Sequence, residues 1–133
     1  MKVRRILVGS DRSETATRAV EWAAEMARRY DAELVVVEVG GEHAELERYV
    51  AEVAPGARPL TVAGEEPAAA IVAAAETEKA DVLVVGNLGM SGRREFLLGN
   101  IPNRVSHSAR CTVVIVNTTE TGRGRLPWRH RSS

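Results

Sequence analysis

Five short runs of aliphatic and β-branched residues punctuate the chain, and most of what separates them carries apolar residues every three or four positions. The runs are residues 3–9, 33–39 around Leu34-Val35-Val36-Val37, 58–63, 82–86 and 112–116. Largely continuous apolar character, without a polar alternate face, suits strands covered on both sides. Each connection is long enough for a helical crossover, which parallel strands require. The alternation predicts an α/β domain: an open parallel sheet, right-handed crossovers, and helices on both faces. The pattern alone leaves the order of the strands open.

The helices announce themselves by their spacing. Ala16, Val20, Ala23, Ala27 and Tyr30 form one stripe, widened by Trp22 and Met26, predicting a helix that ends at Arg29 or Tyr30. Its start has two candidates: Asp11 with Glu14 has capping-box spacing, and Ser13 competes as N-cap. Ala44, Leu46, Val50 and Val53 predict a short helix over 42–53, closed by Pro55-Gly56. Pro59 near the start of the third run favours a sheet edge. Pro67 opens an alanine-rich helix reaching Lys79, with Ala68, Ile71, Val72 and Ala75 inward. No internal repeat is present.

The fourth run leads into the most informative stretch. Val82-Leu83-Val84-Val85 stops at Gly86, and a polar loop dotted with glycines follows as far as Asn100, before an amphipathic segment over 101–108. Strand, glycine loop and helix in that order suit an anion, because glycine lets backbone approach a ligand and the first helical N–H groups have no partner of their own. The loop lacks the Gly-Lys-Ser/Thr ending of a P-loop and is not GxGxxG.

Gly86, Gly89 and Gly99 stand at the spacing Gly-2x-Gly-9x-Gly, with Asn100 where a serine or threonine would complete the motif. In this the chain resembles the universal stress protein family. The likeness runs from Arg5-Ile6-Leu7-Val8 with Asp11 to Cys111-Thr112-Val113-Val114-Ile115-Val116, nearly the whole chain except the tail. It implies a Rossmann-like, adenine nucleotide alpha hydrolase-like sheet in strand order 3-2-1-4-5, whose switch point lies between the first and fourth strands. Ligands bind at such a crevice, beyond the strand ends. It also implies an antiparallel homodimer through the last strand, Thr112–Val116. An apolar edge strand of this kind exposes unpaired backbone, which a second copy would cover. Coverage by the tail, with Leu126 and Trp128 folding back, is the competing reading.

At the crevice, a carboxylate in the first connector suits a hydroxyl or N–H donor and would repel a phosphate. Resemblance to the family's ATP-binding branch implies that Asp11 holds the nucleoside and that backbone at Val39 meets the adenine edge. Gly86, Gly89, Met90, Ser91, Gly92, Arg93, Gly99, Asn100 and Ile101 would then wrap the triphosphate, with Mg²⁺ or Mn²⁺ carried on the phosphates. The Asn100 amide can donate to a phosphate oxygen and cap the helix start; Arg93 and Arg94 can reach phosphates in bidentate fashion. The alternatives are an N-cap role alone for Asp11, and a glycine loop that needs positive φ but holds no ligand.

Composition narrows the function further. At 133 residues the chain fits one domain burying roughly two thirds of its unfolded surface. Its domain should span 1–117, followed by a basic, disordered tail over 118–133. Basic and acidic residues balance at 18 each, so no nucleic-acid or membrane partner is indicated. The tail carries four arginines and one glutamate; a polyanion-binding arm is the minority reading. Cys111 stands alone, so no internal disulfide can form, and a buried, inert thiol is expected. No apolar run approaches the roughly 18 residues of a membrane span, and the N-terminus lacks a signal-like core. A reducing cytoplasm is the default expectation. His43, His107 and His130 have no metal spacing. There is no evident Ser-His-Asp set, and the only lysines are Lys2 and Lys79, whereas phosphoryl transfer needs positioned cations and a base. The residues thus point to slow or absent hydrolysis, and the function that the family resemblance implies is an ATP-binding, homodimeric regulatory module in stress response. Two rivals stand: a nucleotide-free protein of the same fold acting through protein contacts, and a weak ATPase or phosphate acceptor using Ser91, Ser106 or Ser108.

Overall fold

The computed structural model describes residues 2–86 and 111–117. In chain order they form β1 (Arg5–Gly9), α1 (Glu14–Tyr30), β2 (Glu33–Val39), α2 (His43–Val53), β3 (Arg58–Val62), α3 (Pro67–Thr77), β4 (Val82–Gly86) and β5 (Thr112–Val116). The strands make one sheet in the order β3-β2-β1-β4-β5, every pair parallel. The expected order holds, and so does the edge position of the strand carrying Pro59. The glycine loop after Gly86, the expected helix over 101–108 and the tail over 118–133 lie outside the described residues.

Alternate strand residues feed two cores. Ile6, Val8, Leu34, Val36, Val82 and Val84 meet α1 and α2 through Ala19, Val20, Ala23, Ala27, Leu46 and Val50. Leu7, Val35, Val37, Leu83 and Val85 meet α3 through Ala68, Ile71, Val72, Ala74 and Ala75. Small alanines on α1 and α3 let those two helices approach a surface already crowded with valine. Full burial of one such aliphatic side chain contributes about 1.5–3 kcal/mol relative to exposure.

Several boundaries differ from the sequence reading. The first strand begins at Arg5, two residues later than its apolar pattern, although Val3 is buried. The third ends at Val62, and α3 ends at Thr77, because Lys79 turns left-handed (φ 57°) and breaks the helical run. Helix α1 closes in the same way at Asp31, left-handed at φ 57°, where the Ala32 N–H reaches the Ala27 carbonyl at 2.8 Å.

At the amino rim of the sheet, ion pairs and one carboxylate cap lock the strand starts. Glu33 accepts from Arg5 Nε at 2.7 Å and from Arg58 Nε at 3.0 Å, and Arg58 also reaches Glu78 at 2.6 Å. Both arginines hold the Glu33 carboxyl below the usual carboxylate range, the Arg58 hydrogen bond contributing most. The opposite, carboxyl rim is built differently, and the candidate site lies there.

Candidate functional site

Register alone brings three of the expected contacts to one rim. β1 pairs with β2 so that Gly9 lies level with Val37, and with β4 so that Val8 lies level with Val84. Just past these pairs the Ser10 N–H still reaches the Val37 carbonyl at 2.9 Å, so Asp11 follows the end of β1 on the rim where Val39 ends β2 and Gly86 ends β4. Asp11, Val39 and Gly86 thus leave three neighbouring strands at the same end, where the order of the sheet reverses. Gly89, Met90, Ser91, Gly92, Arg93, Gly99, Asn100 and Ile101 lie outside the described residues, so their part of the expected site belongs to the proposal below.

The β1–α1 connector is fixed atom by atom. Gly9 lies against α3: a Cβ there would stand 2.9 Å from Ile71 Cδ1. Ser10 is buried; its N–H donates to the Val37 carbonyl at 2.9 Å, and its Oγ accepts the Arg12 N–H at 2.9 Å. Asp11 Oδ1 accepts the Ser13 N–H at 2.9 Å, closing an Asx turn. Ser13 is the N-cap of α1, with Oγ accepting the Ala16 N–H at 3.1 Å. The capping-box reading of Asp11 with Glu14 is therefore corrected. Arg12 sits in the left-handed region between Asp11 and Ser13, which sets Asp11 two residues ahead of the N-cap and leaves Ser13 to cap the helix.

Two residues that the sequence reading missed organise this rim. Arg12 adopts φ 69°, a conformation that costs a residue bearing a side chain about 1–2 kcal/mol. Its guanidinium donates from Nε to Glu38 Oε1 at 3.0 Å and from a terminal nitrogen to Oε2 at 3.2 Å, and stands 3.5 Å from Glu45. The Glu38 pairing holds the guanidinium still more firmly protonated than usual. Glu38 is only 6% exposed, and a carboxylate so placed needs a partner of this kind. The visible signal was a lone acidic residue interrupting the apolar stretch from Leu34 to Val39, two residues before a glycine pair.

Those glycines finish the wall. Gly40 and Gly41 are left-handed at φ 78° and 81°, and the Gly40 N–H is committed to the Val62 carbonyl at 2.8 Å. A Cβ on Gly41 would meet Glu38 Oε2 at 2.9 Å, whereas one on Gly40 would meet nothing within 4 Å. The rim beside Val39 is thus bare backbone bordered by a fixed carboxylate. A shallow groove on the far side of Arg12, lined also by Glu45, Arg48, Tyr49, Ala51 and Glu52, belongs to the outer face of α2 rather than to the β1–β4 switch. No helix among the described residues is long and apolar enough to cross a membrane.

An open parallel sheet in this order, with its crevice where the order reverses, defines a Rossmann-like α/β protein of the adenine nucleotide alpha hydrolase kind. Within that class the chain belongs to the universal stress protein family, whose family model matches residues 2–54 and 40–117. Universal stress protein Rv1636 of Mycobacterium tuberculosis (strain ATCC 25618 / H37Rv) is 35% identical, over 86% of this chain and 96% of its own length. A crystal structure of a universal stress protein in complex with cAMP superposes with a TM-score of 0.70 at 31% identity, covering 90% of this chain and 100% of that one. The universal stress protein from Archaeoglobus fulgidus in complex with dAMP gives a TM-score of 0.63 at 28% identity, covering 88% of this chain and 100% of that one.

Proposed function

We propose that the β1–β4 crevice binds an adenine nucleotide and that the protein is a regulatory module of the stress response rather than an enzyme. Asp11 accepts a ribose hydroxyl, and backbone at Val39 meets the adenine edge. Gly86, Gly89, Met90, Ser91, Gly92, Arg93, Gly99, Asn100 and Ile101 surround the phosphates of ATP, which carry Mg²⁺ or Mn²⁺ with them. The observation that carries this reading is the common rim of Asp11, Val39 and Gly86 on three adjacent strands. The nucleoside end fits the residues there: an acceptor-only carboxylate for a hydroxyl, and side-chain-free backbone at Gly40 for a flat base. The cAMP and dAMP complexes of relatives add support. They also favour a second reading in which the site is kept and a nucleotide with a single phosphate is the working ligand.

Dimerisation through β5 belongs to the same proposal. Ile115 is 44% exposed on this edge strand, and Val113, Val114 and Val116 are only half-buried. Pairing with a second β5 would cover both the apolar row and the open backbone.

Calorimetric titration with ATP and Mg²⁺, AMP and cAMP tests the site, on the wild type and on Gly99→Trp, with ADP assayed after long incubation. Binding by the wild type, lost in Gly99→Trp, with no ADP formed, is the expected result. Absence of binding for every nucleotide would overturn the reading in favour of a nucleotide-free protein, and sustained ADP release would overturn its non-catalytic part.

A further inference from the structure

We propose that the Arg12–Glu38 ion pair is a positioning device that sets the ribose-facing carboxylate of Asp11 against the base-facing backbone of Val39. The inference rests on the nucleotide reading above and adds two residues to it, neither of which touches the ligand. Its basis is adjacency. Arg12 directly follows Asp11, and Glu38 directly precedes Val39. Two hydrogen bonds, at 3.0 and 3.2 Å, join the side chains of these neighbours across the top of β1 and β2. The two positions that would meet the nucleoside are therefore tied by a bridge one residue away from each.

Every local feature serves that bridge. The left-handed backbone of Arg12 is disfavoured for a residue with a side chain, and such a conformation persists only where its surroundings over-determine it. Here the Arg12 N–H is held by Ser10 Oγ and its guanidinium by Glu38, with Glu45 nearby. Gly41 leaves room for the Glu38 carboxylate where a Cβ would stand 2.9 Å from Oε2, at a left-handed φ of 81° that also disfavours a side chain. Asp11 is bound to the same turn through the Ser13 N–H. Releasing Arg12 lets its φ relax to an ordinary negative value, and the Asx turn that aims Asp11 must move with it. Charge at Arg12 is not what the ligand reads, because the guanidinium is engaged on the β2 and α2 side.

The consequence is specificity for the sugar. With Asp11 aimed by the bridge, AMP should bind better than whichever of 2′-deoxy-AMP and 3′-deoxy-AMP lacks the hydroxyl it accepts. One hydrogen bond to a carboxylate corresponds to a preference of about tenfold or somewhat more.

The experiment measures the affinities of AMP and its two deoxy forms for full-length wild type, Asp11→Asn, Arg12→Ala, Arg12→Lys and Glu38→Gln. Thermal melts on the same samples establish that each is folded. The expected result is a hydroxyl preference in the wild type, lost in Asp11→Asn, lost to a similar degree in Arg12→Ala and Glu38→Gln, and partly kept in Arg12→Lys. A pair that only stabilises the fold would lower the melting temperature and leave the preference ratio intact; that outcome overturns the proposal. Should Arg12→Ala fail to fold, Arg12→Lys and Glu38→Gln carry the same comparison. If Asp11→Asn retains the wild-type ratio, the ribose role of Asp11 itself falls and the positioning role with it. If Asp11→Asn loses the ratio while both Glu38→Gln and Arg12→Ala keep it, the nucleotide reading stands and only the positioning role is refuted.

Discussion

Asp81→Asn should weaken the fold at neutral pH and cease to matter in acid. Asp81 sits just before β4, and a single oxygen, Oδ2, accepts the Arg4 N–H at 2.8 Å and the Arg5 N–H at 3.0 Å. Its own N–H donates to the Arg5 carbonyl at 2.8 Å, and its carbonyl accepts the Thr112 N–H at 3.1 Å. One residue thereby ties the starts of β1, β4 and β5. The backbone hydrogen bonds from Arg4 and then Arg5 hold the carboxyl below its ordinary value of 3.8, outweighing its partial burial. Because the folded pKa is depressed, the stabilisation is complete above the unfolded value and is lost as the pH falls through the folded one. An asparagine oxygen can still accept both N–H groups, so the substitution removes only the charge assistance. That assistance is about 1 kcal/mol per bond, and screening at this partly exposed rim reduces the total to about 1 kcal/mol. Urea unfolding followed by far-UV circular dichroism at several pH values between 7 and 3 reads the difference between wild type and variant directly. Subtraction removes the similar acid sensitivity of Glu33 and Glu25, which are also held below their ordinary values. A gap near 1 kcal/mol at pH 7 that closes below pH 4 is the expected result. A gap that stays constant across the range would refute the argument, since it would mean that the ionised form gains nothing from the two N–H groups.

Two further outcomes follow from burial. Leu46 is fully buried and, with Val50, is what fastens the 11-residue α2 to the sheet, so Leu46→Ala should cost about 2–5 kcal/mol in urea unfolding and raise amide exchange throughout α2. Burial, helped by Glu76 and Asp81, pushes the Cys111 thiol above its ordinary range. A maleimide or iodoacetamide probe should therefore label it more slowly than a free thiol at neutral pH, and rapidly in denaturant.

The parts of this molecule legible in its sequence are those that repeat. Each strand of the sheet centre is covered on both faces, so Leu34 to Val37 and Val82 to Val85 read as unbroken apolar runs, and the α1 stripe reads at helical spacing. Strand order came from resemblance, because the same alternation permits several orders. What did not read was pairing at a distance. Arg12 and Glu38 are 26 positions apart, and Arg5, Glu33, Arg58 and Glu78 come from four separate segments. In a charge count each is an ordinary surface residue. The start of α1 was ambiguous for a local reason: Asp11 and Ser13 are both good caps, and the choice was made by a left-handed arginine, which propensity disfavours. Any expectation for Gly89 to Ile101 stands or falls on binding measurements.

The two rims of the sheet carry their charge to different ends. At the amino rim, ion pairs link β1, β2, β3 and the residue after α3, and the Asp81 carboxylate ties β1 to the start of β4. These contacts hold the strands in register, and no candidate ligand contact is among them. At the carboxyl rim, the strand ends give way to Gly40, Gly41 and the left-handed Arg12, and a partly exposed Arg12 pairs with the buried carboxylate of Glu38. Function concentrates where connectors leave a packed scaffold, and the scaffold here is the sheet buried between its two cores. The two sets of charges should therefore separate by experiment. Asp81→Asn should move stability and leave the preference for AMP over its deoxy forms unchanged, while Asp11→Asn and Glu38→Gln should change that preference. If Asp81→Asn altered it as well, the rims would be coupled through β1 and β4, and the nucleoside end of the crevice could not be treated as a device set by its own connector.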